Sequence, residues 1–116
     1  MRSEFTTENA GYYLSVIKAI YDYFCTQEAS FLQNIKKYVL NRRIKMIFNQ
    51  SVRRQSDPQK RKQIFEYLQP NLKEFYKQGI IDYRGLRLKH KIALWLLLNK
   101  ENPSLSLTWL TLLKEI

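Results

Sequence analysis

The sequence predicts an all-α fold, a compact bundle of about five helices. Three observations carry that prediction. Apolar residues recur three and four positions apart through most of the 116 residues, which is the spacing of one helix face. Glycine and proline are scarce, three of each, and that disfavours a turn-rich β fold. Helix-start signals precede several of the apolar stripes.

Taken in order, Thr7 and Glu8 open a first helix over about residues 8–26. Its apolar face reads Tyr13, Val16, Ile17, Ile20 and Phe24. A second helix begins near Ala29 or Ser30, carries Phe31, Ile35, Tyr38 and Val39, and continues through Ile44, Ile47 and Phe48. It is expected to end before the polar stretch Gln50 to Gln55. Ser56-Asp57-Pro58-Gln59 is the clearest start signal: Ser56 with Gln59 fits a capping box, and Pro58 falls in the first turn. Ile64, Phe65, Leu68, Leu72, Phe75 and Tyr76 then form a stripe that Gly79 closes. Pro70 lies inside it and removes a backbone bond, so this third helix is expected to kink or split there. Residues 80–88 read as an irregular connector whose apolar members dock on the core. A fourth helix covers about Lys89 to Lys100. Asn102-Pro103 caps a fifth, with Leu105, Trp109, Leu112, Leu113 and Ile116 as its inner face.

The length fits one domain, residues 1–116, with a single hydrophobic core. Residues 1–7 are expected as a flexible start, partly derived from cloning. The longest apolar run, Ile92 to Leu98, has seven residues, far short of the roughly 20 that span a bilayer. The one cysteine, Cys25, cannot form an intrachain disulfide, which fits a reducing compartment such as the cytosol.

No constellation in the chain carries catalysis. The acidic residues are scattered, no Gly-rich phosphate loop exists, and no Cys/His spacing fits zinc. No catalytic residue, metal site or cofactor is expected in this chain. His90, the only histidine, sits between Lys89 and Lys91 and reads as a surface residue at a helix start. Cys25 reads as a small, half-buried apolar residue.

Charge is the remaining signal. The net charge is +10, which biases the partner list toward anions. Between residues 36 and 62 lie Lys36, Lys37, Arg42, Arg43, Lys45, Arg53, Arg54, Lys60, Arg61 and Lys62, with Asp57 the sole acid. These ten are the candidate anionic-surface residues. They cover the end of the second helix, the turn and the start of the third, so they are expected to gather at one end of the bundle. Arg84, Arg87, Lys89 and Lys91 form a second basic group. A solvated face that maintains solubility, an anionic lipid surface and a phosphate backbone are all compatible with such a cluster. The Leu- and Trp-rich last two helices offer a further surface for another protein.

The segment order adds a family resemblance. Arg2-Ser3-Glu4-Phe5-Thr6-Thr7 resembles the Arg/Ser/Thr segment that follows the catalytic domain in many bacterial family 2 glycosyltransferases of surface-polysaccharide synthesis. The helical C-terminal regions of those enzymes resemble the rest of the chain: a Tyr-rich first helix (Tyr12 to Phe24), a basic second helix (Ile35 to Phe48), the run Leu86 to Leu98, and a Leu-rich last helix (Leu105 to Ile116). The family's catalytic parts are absent here. The resemblance implies a non-catalytic accessory domain of a nucleotide-sugar-dependent transferase. Such a domain would hold the enzyme at an anionic membrane surface or against a partner, on the cytoplasmic side of the inner membrane. The alternatives are a basic helical nucleic-acid-binding domain and a helical protein-interaction or dimerisation module.

Overall fold

In the computed structural model, which describes residues 4–26 and 30–114, five helices follow one another: α1 (Thr7–Cys25), α2 (Ser30–Arg53), α3 (Pro58–Lys77), α4 (Leu88–Asn99) and α5 (Ser104–Lys114). There is no strand among the described residues. α1 packs on α2 and α3, while α5 packs on α4, α3 and α2. At 1.5 Å per residue the 24 residues of α2 run about 36 Å, most of the 44 Å length of the molecule.

α1 and α3 start where a side chain satisfies free backbone donors. Thr6 caps α1, one residue before the expected start: Asn9 N–H donates to Thr6 Oγ1 at 3.4 Å, and Thr6 N–H donates to Asn9 Oδ1 at 2.9 Å. Asp57 caps α3 in place of the expected Ser56, accepting from Gln59 N–H at 2.9 Å. The reason is Pro58, which occupies the first helical position and so leaves the capping role to its immediate predecessor. α3 ends as the sequence indicates. Gly79 takes φ +75°, and the N–H groups of Gly79 and Ile80 return to Tyr76 and Phe75 at 3.1 and 2.9 Å. That is a full Schellman closure.

Two expectations about helix extent are corrected. α2 does not stop before Gln50 but runs to Arg53, because Ser51 and Val52 are buried and extend its inner face. α3 does not split at Pro70. It is one continuous helix, held by fully buried Leu68 and Leu72 on either side of the proline. Pro70 itself is exposed, as is Glu66, whose carbonyl has no N–H donor from the proline.

The core is one cluster drawn from all five helices and the connector, including Ile17, Ile44, Phe48, Phe65, Leu94 and Leu110. Ile80, Ile81 and Leu86 of the connector join it as expected. Some inner faces are rotated from the expected ones. α1 buries Ala10, Leu14 and Ile17, with Tyr13 and Ile20 beside them. Ile35 and Tyr38 of α2 and Tyr76 of α3 stay exposed. α5 turns Ser106 and Leu110 inward while Leu105 and Leu112 face out. Two polar anchors set that rotation: Ser106 Oγ donates to the Ala93 carbonyl at 2.7 Å, and Trp109 Nε1 donates to the Lys89 carbonyl at 2.8 Å. The side chains of Phe31, Leu113 and Ile116, also expected on inner faces, lie outside the described residues, as does Ala29.

Residues 4–7 belong to the fold and are not a flexible start. Phe5 is 0% exposed, its N–H donates to the Arg54 carbonyl at 2.8 Å, and its carbonyl accepts from Gln55 Nε2 at 2.9 Å. Cys25, expected half-buried, is exposed near the end of α1, because α1 turns Ile17 and Leu14 to the core and the cysteine lies past that contact.

Candidate anion-binding site

Arg42 and Lys45 stand on one face of α2, at the three- and four-residue spacing that also brings Tyr38 and Asn49 into line. This face forms one wall of a groove of about 720 Å³, to which Lys37, Asn41 and Met46 also contribute. The opposite wall is the turn before α4, which presents Arg84 and Arg87. Five cationic side chains therefore line one concavity, and no acidic side chain does so among the described residues. Asp82 is the near exception in sequence. Its Oδ2 pairs with Arg84 Nη2 at 3.3 Å, and its Oδ1 accepts from Arg84 N–H at 2.8 Å.

The second wall is placed by specific chemistry. Leu86 N–H donates to the Tyr83 carbonyl at 3.3 Å, closing a β-turn whose third residue, Gly85, has φ +87°. Asn41, buried on α2, donates its side-chain amide to the Arg84 carbonyl. A Cβ at Gly85 would lie 2.5 Å from Asn41 Nδ2, so both the conformation and the space require glycine. Leu86 is buried between the two arginines and anchors the turn in the core.

His90 lies at the floor of the groove. It is only 3% exposed, not on the surface as its lysine neighbours suggested, because the first turn of α4 directs it onto Phe48 with ring centroids 6.1 Å apart and planes 10° from parallel. Burial above all, then Lys89, Lys45 and Arg87, pushes its imidazole down from 6.5 to about 4. It is neutral at physiological pH. Its Nε2 lies 3.3 Å from Asn49 Oδ1, while its buried Nδ1 has no hydrogen-bond partner among the described residues. The tautomer with Nε2–H donating to Asn49 satisfies the donor and leaves only an acceptor unused, which is the less costly choice.

The ten basic residues picked out from the sequence do not gather at one end. Lys36 to Arg53 alone extends over about 26 Å of helix. Lys37, Arg42 and Lys45 enter the groove. Lys36 instead places its ammonium 5.2 Å from the centre of the Tyr21 ring, towards α1. Arg43 is half-buried on α2 outside the groove lining. Arg53, Arg54, Lys60, Arg61 and Lys62 belong to the α2–α3 corner, where Arg54, Lys60 and Arg61 are engaged by the fold; Arg54 Nη1 donates to Gln50 Oε1 at 3.3 Å. Lys60 pairs with Glu4 at 2.6 Å, and that carboxylate raises its pKa. Arg61 donates to the carbonyls of Val52 (2.6 Å, from Nη2) and Gln55, covering the C-terminal end of α2 with positive charge. Arg84 and Arg87, set apart in sequence as a second basic group, complete the site.

Among the described residues no group of three or more His, Cys, Asp or Glu side chains could hold a metal ion, and no helix is long and apolar enough to cross a membrane. A smaller concavity of about 380 Å³ lies between α3 and α4 beside Tyr76, Tyr83 and Trp95, with the two tyrosine rings edge-on at 5.5 Å. Burial raises the pKa of Tyr83 there. Comparison of the chain with protein-family models, with curated proteins and with solved structures returned no match.

Proposed function

We propose that this chain is a non-catalytic accessory module that binds an anionic membrane surface through the α2 face of the groove. The observation that carries the reading is the convergence of Lys37, Arg42, Lys45, Arg84 and Arg87 from two distant segments, with Asp82 beside Arg84 as the one paired carboxylate and no acidic residue lining the groove among the described residues. Two exposed apolar side chains support a lipid surface over a purely aqueous anion. Tyr38 is 66% exposed and Ile35 43% exposed, and both precede Arg42 and Lys45 on the same side of α2. Aromatic and aliphatic groups beside cations suit the boundary between headgroups and acyl chains. The segment order supports a parent of the glycosyltransferase kind. In that setting the module holds a catalytic domain at the inner membrane face during surface-glycan synthesis.

Each Lys or Arg near anionic headgroups contributes about 1 kcal/mol, so losing two weakens binding by roughly thirtyfold, and reversing them weakens it further. The test is co-flotation with phosphatidylserine-containing and neutral vesicles at physiological salt. Wild type is expected to float only with the anionic vesicles, and Arg42→Glu/Lys45→Glu is expected to stay in solution with unchanged helical circular dichroism. Equal flotation of wild type and variant would remove the groove face from the mechanism.

A further inference from the structure

The groove is more than a charged patch. Resting on its reading as an anion site, we propose that it is a built pocket for one polyvalent phosphate-bearing group. That group is a phosphomonoester or diphosphate, carried on a lipid headgroup or on a free molecule. Three features point there.

The cations oppose one another across a concavity whose two walls are each placed by specific contacts. One wall is the middle of a long helix packed in the core. The other is a turn clamped by Asn41, shaped by Gly85 and rooted by Leu86. A solvated basic face needs no such placement. It requires neither a glycine at φ +87° nor a buried amide spent on a turn carbonyl.

The charge also fits a polyvalent anion. Arg84 is partly compensated by Asp82, but the other four cations face no lining carboxylate among the described residues and would remain largely uncompensated by one carboxylate ligand. Three of them are arginines, whose planar forks match phosphate oxygens two at a time. His90 at the floor is neutral and leaves that excess unchanged.

The size fits a phosphate with something attached. A volume of about 720 Å³ is within the range of small-ligand sites and exceeds what a phosphate alone would fill. Met46 and Tyr38 line the same wall as Arg42 and Lys45, so the remaining space is partly apolar. The phosphate would bridge the arginines of the two walls, and the group that bears it would lie along Met46 and Tyr38.

The test uses the full chain with two probes. Inorganic diphosphate is titrated calorimetrically. Flotation compares phosphatidylcholine vesicles containing phosphatidic acid with vesicles containing phosphatidylserine, matched in surface potential. Gly85→Ala leaves every charge in place but drives the turn against Asn41. Arg87→Gln leaves the turn intact and removes one fork. The expected result is saturable one-to-one binding of diphosphate, or a preference for phosphatidic acid at equal potential, in either case weakened at least tenfold by both variants. Flotation on phosphatidylserine should change little with Gly85→Ala.

Diphosphate binding without flotation on any vesicle would support the pocket with a free molecule as its source, and would sink the membrane reading. Flotation that depends on surface potential alone, with no diphosphate binding, would overturn the pocket and leave the membrane reading standing. Binding of a single-stranded oligonucleotide at affinity well above diphosphate, with a salt slope of several phosphates, would overturn it in favour of a nucleic-acid backbone.

Discussion

His90 shows how one residue can be misread from its neighbours and still report on the site. Lys89 and Lys91 flank it in sequence, yet in a helix adjacent residues point to different sides, so two lysines say nothing about the position between them. The structure buries the imidazole on Phe48 and holds it neutral down to about pH 4. The consequence for stability has a definite sign. The unfolded chain takes up a proton near 6.5, whereas the folded chain does not until about 4. Stability is therefore fully present above pH 6.5 and falls as pH drops towards 4, by on the order of 3 kcal/mol from this group. His90→Gln should flatten that part of the acid limb, measured as urea midpoints at pH 7 and pH 4.5. An unchanged difference between the two midpoints would mean that the ring is already protonated or hydrated in the native state.

At the scale of elements, periodicity and start signals located all five helices, and boundaries were off by a few residues where a buried polar residue extended a face. Gly79 is readable because many helices close on a residue with φ above zero, which glycine adopts at least cost. The rotation of α5 was not readable. It is set by Ser106 and Trp109 bonding to carbonyls of α4, and polar anchors of that kind leave no apolar stripe. The exposed flank of α2 at Ile35 and Tyr38 misled in the opposite direction, since apolar residues at helical spacing look like core wherever they stand. Pro70 is the sharpest case. Local rules end a helix there, but burial of Leu68 and Leu72 outweighs the lost bond. Because Pro70 is exposed and the helix persists through it, Pro70→Ala should restore the bond to residue 66 and raise unfolding stability by about 2 kcal/mol. Chemical denaturation measures this directly, and a loss of stability would show that the proline fits its site better than alanine does.

For the whole molecule, the decisive contacts are distant in sequence. Gln55 reaches Phe5 across 50 positions, and Asn41 reaches Arg84 across 43. The charges of the candidate site were legible as two basic groups, but their union was not, because nothing local in residues 41 or 85 announces that they meet. The place of the early segment is hidden for the same reason: Phe5 meets Tyr13 of α1 edge-on at 5.5 Å and bonds through its backbone to Arg54 and Gln55 beyond the end of α2. Phe5→Ala removes that buried ring and should cost about 3 to 5 kcal/mol, read as a lowered denaturation midpoint. A change below about 1 kcal/mol would place residues 4–6 outside the cooperative core.

The two sides of the groove are not equally firm. The α2 wall can yield only if the core yields with it, whereas the turn lies outside the helices and is held by the Asn41 bond, Leu86, the isoleucines at positions 80 and 81, and Tyr83 against Tyr76. Non-helical connectors of this kind open locally at less than the global free energy. The spacing between the two arginine-bearing walls is thus soft on one side, and the backbone amide of Leu86 would exchange with solvent through partial opening, ahead of those in α2. A guest spanning both walls would act as a strut across the gap, coupling occupancy to the rigidity of the whole helical frame.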